Sequence, residues 1–474
     1  MSTSAERGRR FDDLRRREFT RLDEAGIAYL DYTGSGVYPE SLVRAHSDRL
    51  CRSVLGNPHS ENGPSADATE IMDRARTEVL DFFDADRETW TVCFTANASA
   101  AAKLVGEAFP FEDGSRFVLL TDNHNSVNGV REFAIGRGAS VDYTPLDEEL
   151  RAASPRFSRR EAPSLFAFPA QSNFSGVQHP LTLVDEAREA GYSVLLDAAA
   201  YVPTNRLSLR EVKPDFVCVS FYKMFGFPTG VGALIAKRDA LATLDRPWFA
   251  GGTVEWATVE TERRRLLTTA EAFEDGTPNF LDIAAIPGGL DLLRGVGMDE
   301  IHEHVSDLTV RLLESFAAAE TALGRPLVRV YGPRGSDRRG ATVAFNLLDE
   351  VGRTLPYEEV ERAASEIGIA IRGGCFCNPG ASESAFGVDA GRALRCLESV
   401  PRGEFHPRKL GECLDGAPVG ALRASFGIGS VHSDVDRLVD FIAGTSSTAG
   451  APERAAAGGE PRGDLHVRPS VGVQ

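Results

Sequence analysis

Seven short apolar runs, starting at Trp90, Phe117, Val141, Ser164, Tyr192, Asp215 and Val231, constrain this chain more than any other feature. Helical stretches lie between several of them, among them the alanine-rich 99–108 and residues 181–190. Strands that alternate with helices predict an α/β fold with a mostly parallel sheet covered on both faces. Ligands of such sheets bind beyond the carboxyl ends of the strands. The first candidates for chemistry are therefore the residues that close each run. They are the turn Ala96-Asn-Ala-Ser99, His124, Asn173, Asp197 and Ser220, with Lys223 three residues further on.

Lys223 is one of only five lysines among 52 basic residues. It follows the strand 215–220 and precedes a turn broken by Gly226, Pro228, Gly230 and Gly232. A lysine held there can lose solvation and become a Schiff-base nucleophile. The turn 96–99, between a strand and a helix N-terminus, offers free backbone N–H groups and a positive dipole end to an anion. Asp197 is a carboxylate at a neighbouring strand end. Pyridoxal 5'-phosphate (PLP) needs a lysine for its aldehyde, an acid at its ring nitrogen, a phosphate cup and a flat group over the ring. Lys223, Asp197, the 96–99 turn with Ser220, and His124 supply that set.

The rest of the chain bounds the reading. A net charge of −17 argues against a nucleic-acid surface. No apolar run approaches the ~20 residues that span a membrane, and the polar N-terminus has no secretory h-region. Seven cysteines in so long a chain predict reduced thiols and a cytoplasmic location. Helices are expected at 9–25, 40–53, 66–83, 356–366 and 434–443, with a long one within 276–305. Strands are expected at 328–331, 341–346, 367–371 and 422–426, and together these elements predict a second, α+β part. The expected division is an N-terminal segment, 1–35, packing on the small domain, a large cofactor-binding domain, 36–290, a small domain, 291–445, and a disordered tail, 446–474.

Six stretches carry a resemblance: Leu30-Asp-Tyr-Thr-Gly-Ser, Gly56-Asn-Pro-His-Ser, Phe94-Thr-Ala-Asn-Ala-Ser, Ser220-Phe-Tyr-Lys-Met-Phe-Gly-Phe-Pro-Thr-Gly, Phe273-Glu-Asp-Gly-Thr-Pro-Asn and Gly374-Cys-Phe-Cys-Asn-Pro-Gly. Over roughly residues 25–445 the chain resembles the class V aminotransferase-like, fold-type I PLP enzymes. Within them it looks most like the cysteine desulfurase domain of molybdenum cofactor sulfurases. The resemblance implies that Lys223 binds the cofactor aldehyde and moves protons at the substrate, that Asp197 pairs with the ring nitrogen, and that His124 stacks on the ring. It implies that Ala98, Ser99 and Ser220 hold the phosphate, and that Asn173 bonds the 3-oxygen. Arg423 would clamp the substrate carboxylate, with His59 and Cys375 also around the substrate. In a homodimer, Gly251–Thr253 would reach the phosphate of the neighbouring subunit.

The implied activity is conversion of L-cysteine to L-alanine, with the sulfur taken as a persulfide and passed to an acceptor protein or cofactor. Related desulfurases that read Arg-x-Gly-x-x-Cys align with Arg372-Gly-Gly-Cys-Phe-Cys377 and select Cys377 as the nucleophile. Cys375 is then a helper, a resolving thiol or a bystander. A Cys-x-Cys pair without a second pair nearby does not predict a metal. Cys51, Cys93, Cys218, Cys396 and Cys413 are expected to pack as reduced residues. The pattern departs at Tyr222, where desulfurases commonly carry histidine, at Ala200, where they often carry glutamine, and at Ser382 and Ser384, where sulfurases usually have a third cysteine. No match to the sulfurases' C-terminal cofactor-binding domain is seen, so transfer to that cofactor is expected to need a separate protein. The competing reading is another class V reaction on a small amino acid: C–S lyase, aminotransferase or epimerase.

Overall fold

All seven apolar runs join one sheet, in the order 90–95, 232–237, 216–220, 192–197, 164–169, 116–120 and 140–144. In the computed structural model, which describes residues 3–448 apart from positions 160, 402, 405, 406 and 415, only Gly232–Lys237 runs antiparallel to its neighbours. Alternation along each strand builds two cores. Phe166, Phe168, Val194, Leu196, Val217 and Val219 pack on one face. Leu165, Ala167, Leu195, Phe216 and Cys218 pack on the other. Both faces being covered explains why the runs are apolar throughout rather than alternating with polar residues. Each fully buried phenylalanine contributes about 2–3 kcal/mol.

A second, antiparallel sheet orders Val328–Tyr331, Thr342–Leu347, Ala421–Ser425 and Arg372–Gly374. The long helix expected within 276–305 is three helices instead: Phe280–Ile283, Ile286–Val296 and Met298–Ala318. The N-terminal helix Ser4–Glu18 starts at a Thr3–Glu6 capping box and is tied to Met298–Ala318 through Arg7 and Asp307, 2.7 Å apart. Ala28–Tyr29 then pairs in parallel with Ile369–Ala370, and Asp31 bridges to Ser425. This pairing delivers Asp31 to the strand that carries Arg423.

Several elements differ from expectation. Residues 254–257 and 264–266 form a hairpin, and helices occupy Pro379–Phe386, Ala390–Ser399 and Pro407–Cys413. The last two helices bring Cys396 and Cys413 to a Cα separation of 6.0 Å, joined by a disulfide. The expectation that these two are reduced is corrected: helix packing sets their Cα atoms within bridging range. Helix His432–Thr448 continues past the expected start of the tail, and residues 449–474 lie outside the described residues. Among the described residues no helix is long and apolar enough to cross a membrane.

Candidate active site

The carboxyl ends of the parallel strands open into a cleft of about 690 Å³ lined by Ala98, Ser99, His124, Asn173, Asp197, Ser220 and Lys223. Lys223 sits on a single helical turn, Phe221–Phe225, and not in a loop. Gly226 ends that turn at a φ of 78°, pressed so closely on Tyr38 that a Cβ would lie 2.2 Å from its backbone nitrogen. The turn therefore cannot shift without moving that neighbouring segment. Burial pushes the Lys223 ammonium below its usual pKa, Arg423 adds to the effect, and Asp197 opposes it.

The anion cup forms where helix Ala98–Ala108 begins. Asn97 caps the helix by accepting from the Ala100 N–H at 2.9 Å. Ser220 Oγ accepts from the Ala98 N–H at 2.9 Å, which leaves its O–H to donate into the cleft. Gly232 lets its strand approach this turn, because a Cβ there would lie 2.6 Å from Asn97 Cα. Ser99 is hydrogen-bonded to Ser126, and Ser126 Oγ lies 2.9 Å from His124 Nδ1. The Ser126 N–H also donates to that nitrogen at 3.1 Å, so the proton of the neutral ring sits on Nε2. Burial, with Lys223 nearby, lowers the His124 pKa to about 4 despite the opposing field of Asp197. His124 is accordingly an uncharged ring at neutral pH. Asp197 Oδ1 accepts from the Ala199 N–H at 3.0 Å, and the residue lines the cleft. A desolvated lysine, a carboxylate, a neutral imidazole and a serine-lined helix N-terminus in one cleft fit PLP.

Arg423, on the second sheet, and the cysteine turn reach the cleft wall at Asn173 without lining the cleft themselves. Arg423 is 2% exposed, donates from Nη1 to the Asn173 carbonyl at 3.0 Å, and donates from Nη2 to Asp31 at 2.8 Å. Arg372, its cross-strand partner, holds the same carboxylate at 2.6–3.1 Å. Arg423 thus carries an internal counter-ion, which offsets the cost of burying it. Asn173 lines the cleft, but its amide donates to the Phe376 carbonyl at 2.7 Å and its oxygen accepts from Asn378 at 2.9 Å. Asn125, next to His124, donates its N–H to the Cys377 carbonyl at 2.8 Å. The Cys377 backbone is thereby docked beside His124, on a turn with φ of 58° at Phe376 and 54° at Cys377. Cys375, at the other end of the turn, is close enough to Tyr357 to affect its ionisation, and burial pushes its thiol pKa up.

Five expected site residues do not line this cleft: Arg423, Cys375 and Cys377, which meet its wall from the second sheet's side, and His59 and Thr253, which lie apart. His59 lines a separate cavity with Gly251, Gly252 and Glu271, and Thr253 is buried on the adjoining turn, bonded to Ala250. Residues missed in the sequence are Asp31, Arg372, Ser126 and Asn378. Asn378 Nδ2 donates to the Asp122 and Asn173 oxygens, and its Oδ1 caps Pro379–Phe386, so it fastens the cysteine turn from both sides. Its place in Cys-Asn-Pro-Gly, ahead of a proline at a first helical turn, was the available signal.

Strand order, the lysine turn and the N-terminal anion cup define a doubly covered α/β enzyme scaffold, and the chain belongs to the class-V aminotransferase family, whose profile matches residues 28–438. It is 36% identical over 458 residues to a human molybdenum cofactor sulfurase, covering 91% of this chain and 51% of that protein. It is 35% identical over 515 residues to the Arabidopsis thaliana molybdenum cofactor sulfurase, covering 98% of this chain and 61% of that one. The chain therefore spans between half and three-fifths of the length of these curated relatives. A cysteine desulfurase from Thermococcus onnurineus NA1 superposes with a TM-score of 0.76 at 23% identity, over 92% of this chain and 98% of that one. The shared architecture is that of the fold-type I enzymes.

Proposed function

We propose that this chain is a PLP-dependent cysteine desulfurase that moves the sulfur of L-cysteine to Cys377 and releases L-alanine. The observation that carries this reading is the docking of the Cys377 turn, through Asn125, Asn173 and Arg423, against the wall of the cleft that holds Lys223 and Asp197. Kinship with the molybdenum cofactor sulfurases supports it.

PLP, when bound, supplies an electron-withdrawing ring that acidifies the substrate α-hydrogen and draws electrons toward the reacting carbons. Asp197 would keep a proton on the ring nitrogen, and the Ala98–Ser99 helix end with Ser220 and Ser126 would hold the phosphate. Lys223 would anchor the aldehyde and, with its depressed pKa, can take and return the α-proton of the substrate. Arg423 orients the substrate carboxylate. Neutral His124 would lie over the ring, where its Nε2–H can supply a proton to the carbon that loses the sulfur. The Cys377 thiolate attacks the substrate sulfur, forming an S–S bond. The carbon–sulfur bond breaks, its electron pair stays on carbon, and protonation there gives the methyl group of alanine. Cysteine plus enzyme thiol thus becomes alanine plus enzyme persulfide, with no outside oxidant.

The terminal sulfur then passes to an acceptor, for which a molybdenum-cofactor-type acceptor is the first candidate. A cytoplasmic location fits the reduced thiol that Cys377 needs, whereas the Cys396–Cys413 bridge is a bond that such a compartment disfavours. We also propose a homodimer in which the Gly251–Thr253 and His59 cavity faces the cleft of a second copy. Purified protein given L-cysteine and a thiol should release alanine and sulfide. Failure of the wild type to release alanine refutes the desulfurase reading.

A further inference from the structure

Phe376 lies between the two cysteines and is held from several sides. It is 8% exposed, although it sits at the tip of a tight turn. Its ring covers the Arg423 guanidinium, 4.6 Å from the centroid, and packs on Phe174 at 5.4 Å and an interplanar angle of 50°. Its carbonyl is held by Asn173 at 2.7 Å, and Asn173 in turn receives Asn378 and presents its own carbonyl to Arg423. Its φ of 58° is left-handed, and Cys377 follows at 54°. Two successive side-chain-bearing residues in that region are costly, and such a pair persists only where its surroundings over-determine it. Here the determinants are the guanidinium, the phenylalanine wall and the asparagine clamp. All three converge on Phe376.

We propose that Phe376 is a positioning residue for sulfur transfer: its ring, seated on Arg423, holds the left-handed turn that aims Cys377 at a substrate whose carboxylate the same arginine binds. The flat face of the guanidinium takes the ring, and its edge takes carboxylates, so both occupants can be present together. One arginine then sets the position of both the electrophilic sulfur and the attacking thiol. The residue between the two cysteines consequently controls the rate of S–S bond formation without touching the substrate.

This inference rests on the desulfurase reading and is tested by separating two reactions. Exchange of the L-alanine α-hydrogen with deuterium needs Lys223, Asp197 and Arg423 but no thiol. Alanine release from L-cysteine needs Cys377 as well. In Phe376→Ala, kcat for alanine release should fall between roughly tenfold and a hundredfold, as expected for a misplaced reacting group. The α-hydrogen exchange and KM for L-cysteine should stay within about threefold. Phe376→Tyr, which keeps a ring on the guanidinium, should recover most of the rate. If Phe376→Ala does not fold, Phe376→Leu reads the same split. An equal loss of exchange and alanine release would overturn the proposal and make Phe376 a support for Arg423 alone. Unchanged alanine release would overturn it outright. Wild-type protein that exchanges L-alanine but releases none from L-cysteine would instead refute the desulfurase reading beneath it.

Discussion

Replacing Arg423 with glutamine removes a buried cation whose partners are all visible. The change deletes the 2.8 Å contact to Asp31, the 3.0 Å contact to the Asn173 carbonyl and the seat of the Phe376 ring. Breaking a buried ion pair ordinarily costs about 3–5 kcal/mol because a charge is stranded. Asp31 is not stranded, since Arg372 still contacts it through Nε and Nη2. The stability cost should therefore fall to about 2–3 kcal/mol, and Arg423→Gln/Asp31→Asn should recover none of it, because the second change takes the carboxylate away from Arg372. Substrate binding has no such substitute. Losing charge-assisted bonds to a carboxylate is worth about 2–4 kcal/mol, which is roughly 30-fold to 1000-fold in kcat/KM. The assay is alanine release against L-cysteine concentration, run beside thermal melts of the single and double variants. A kcat/KM within about threefold of wild type would refute the carboxylate role.

Three further outcomes are expected. His124 has a folded-state pKa of about 4, below the value of about 6.5 in an unfolded chain, so the unfolded state binds the extra proton and stability falls as pH drops from about 6.5 to 4. Cofactor-free protein should lose about 2 kcal/mol between pH 7 and pH 5 from this group, and His124→Phe should flatten that slope in melts at the two pH values. Cys396→Ser opens a bridge of sequence separation 17 and should cost about 3 kcal/mol, seen as a lowered Tm that reductant reproduces in wild type. Burial raises the Cys375 thiol pKa, so with limiting iodoacetamide near neutral pH mass spectrometry should find Cys377 modified ahead of Cys375.

Local patterning revealed the central sheet and the lysine–aspartate–histidine set, because each strand announces itself by an apolar run and each site residue sits a few positions beyond one. Lys223, Asp197, Ser220 and His124 share one cleft for that reason. What patterning could not show is pairing across the chain. Asp31 and Arg423 are 392 residues apart, and no periodicity links a turn after a two-residue strand to an arginine in the second sheet. The Cys396–Cys413 bridge was hidden likewise, since two short helices had to be packed before their cysteines could be seen to meet. The turn Cys375–Cys377 was legible as a motif, yet its tether to His124 runs through the Asn125 backbone, where side-chain identity carries no signal.

The division of labour between Lys223 and Cys377 is tested most directly by one turnover without reductant. Protein given L-cysteine, quenched and digested, should carry one added sulfur atom on the peptide at Cys377, with one alanine formed per chain. Cys377→Ser should form neither. Sulfur found on Cys375, or alanine formed by Cys377→Ser, would contradict the assignment.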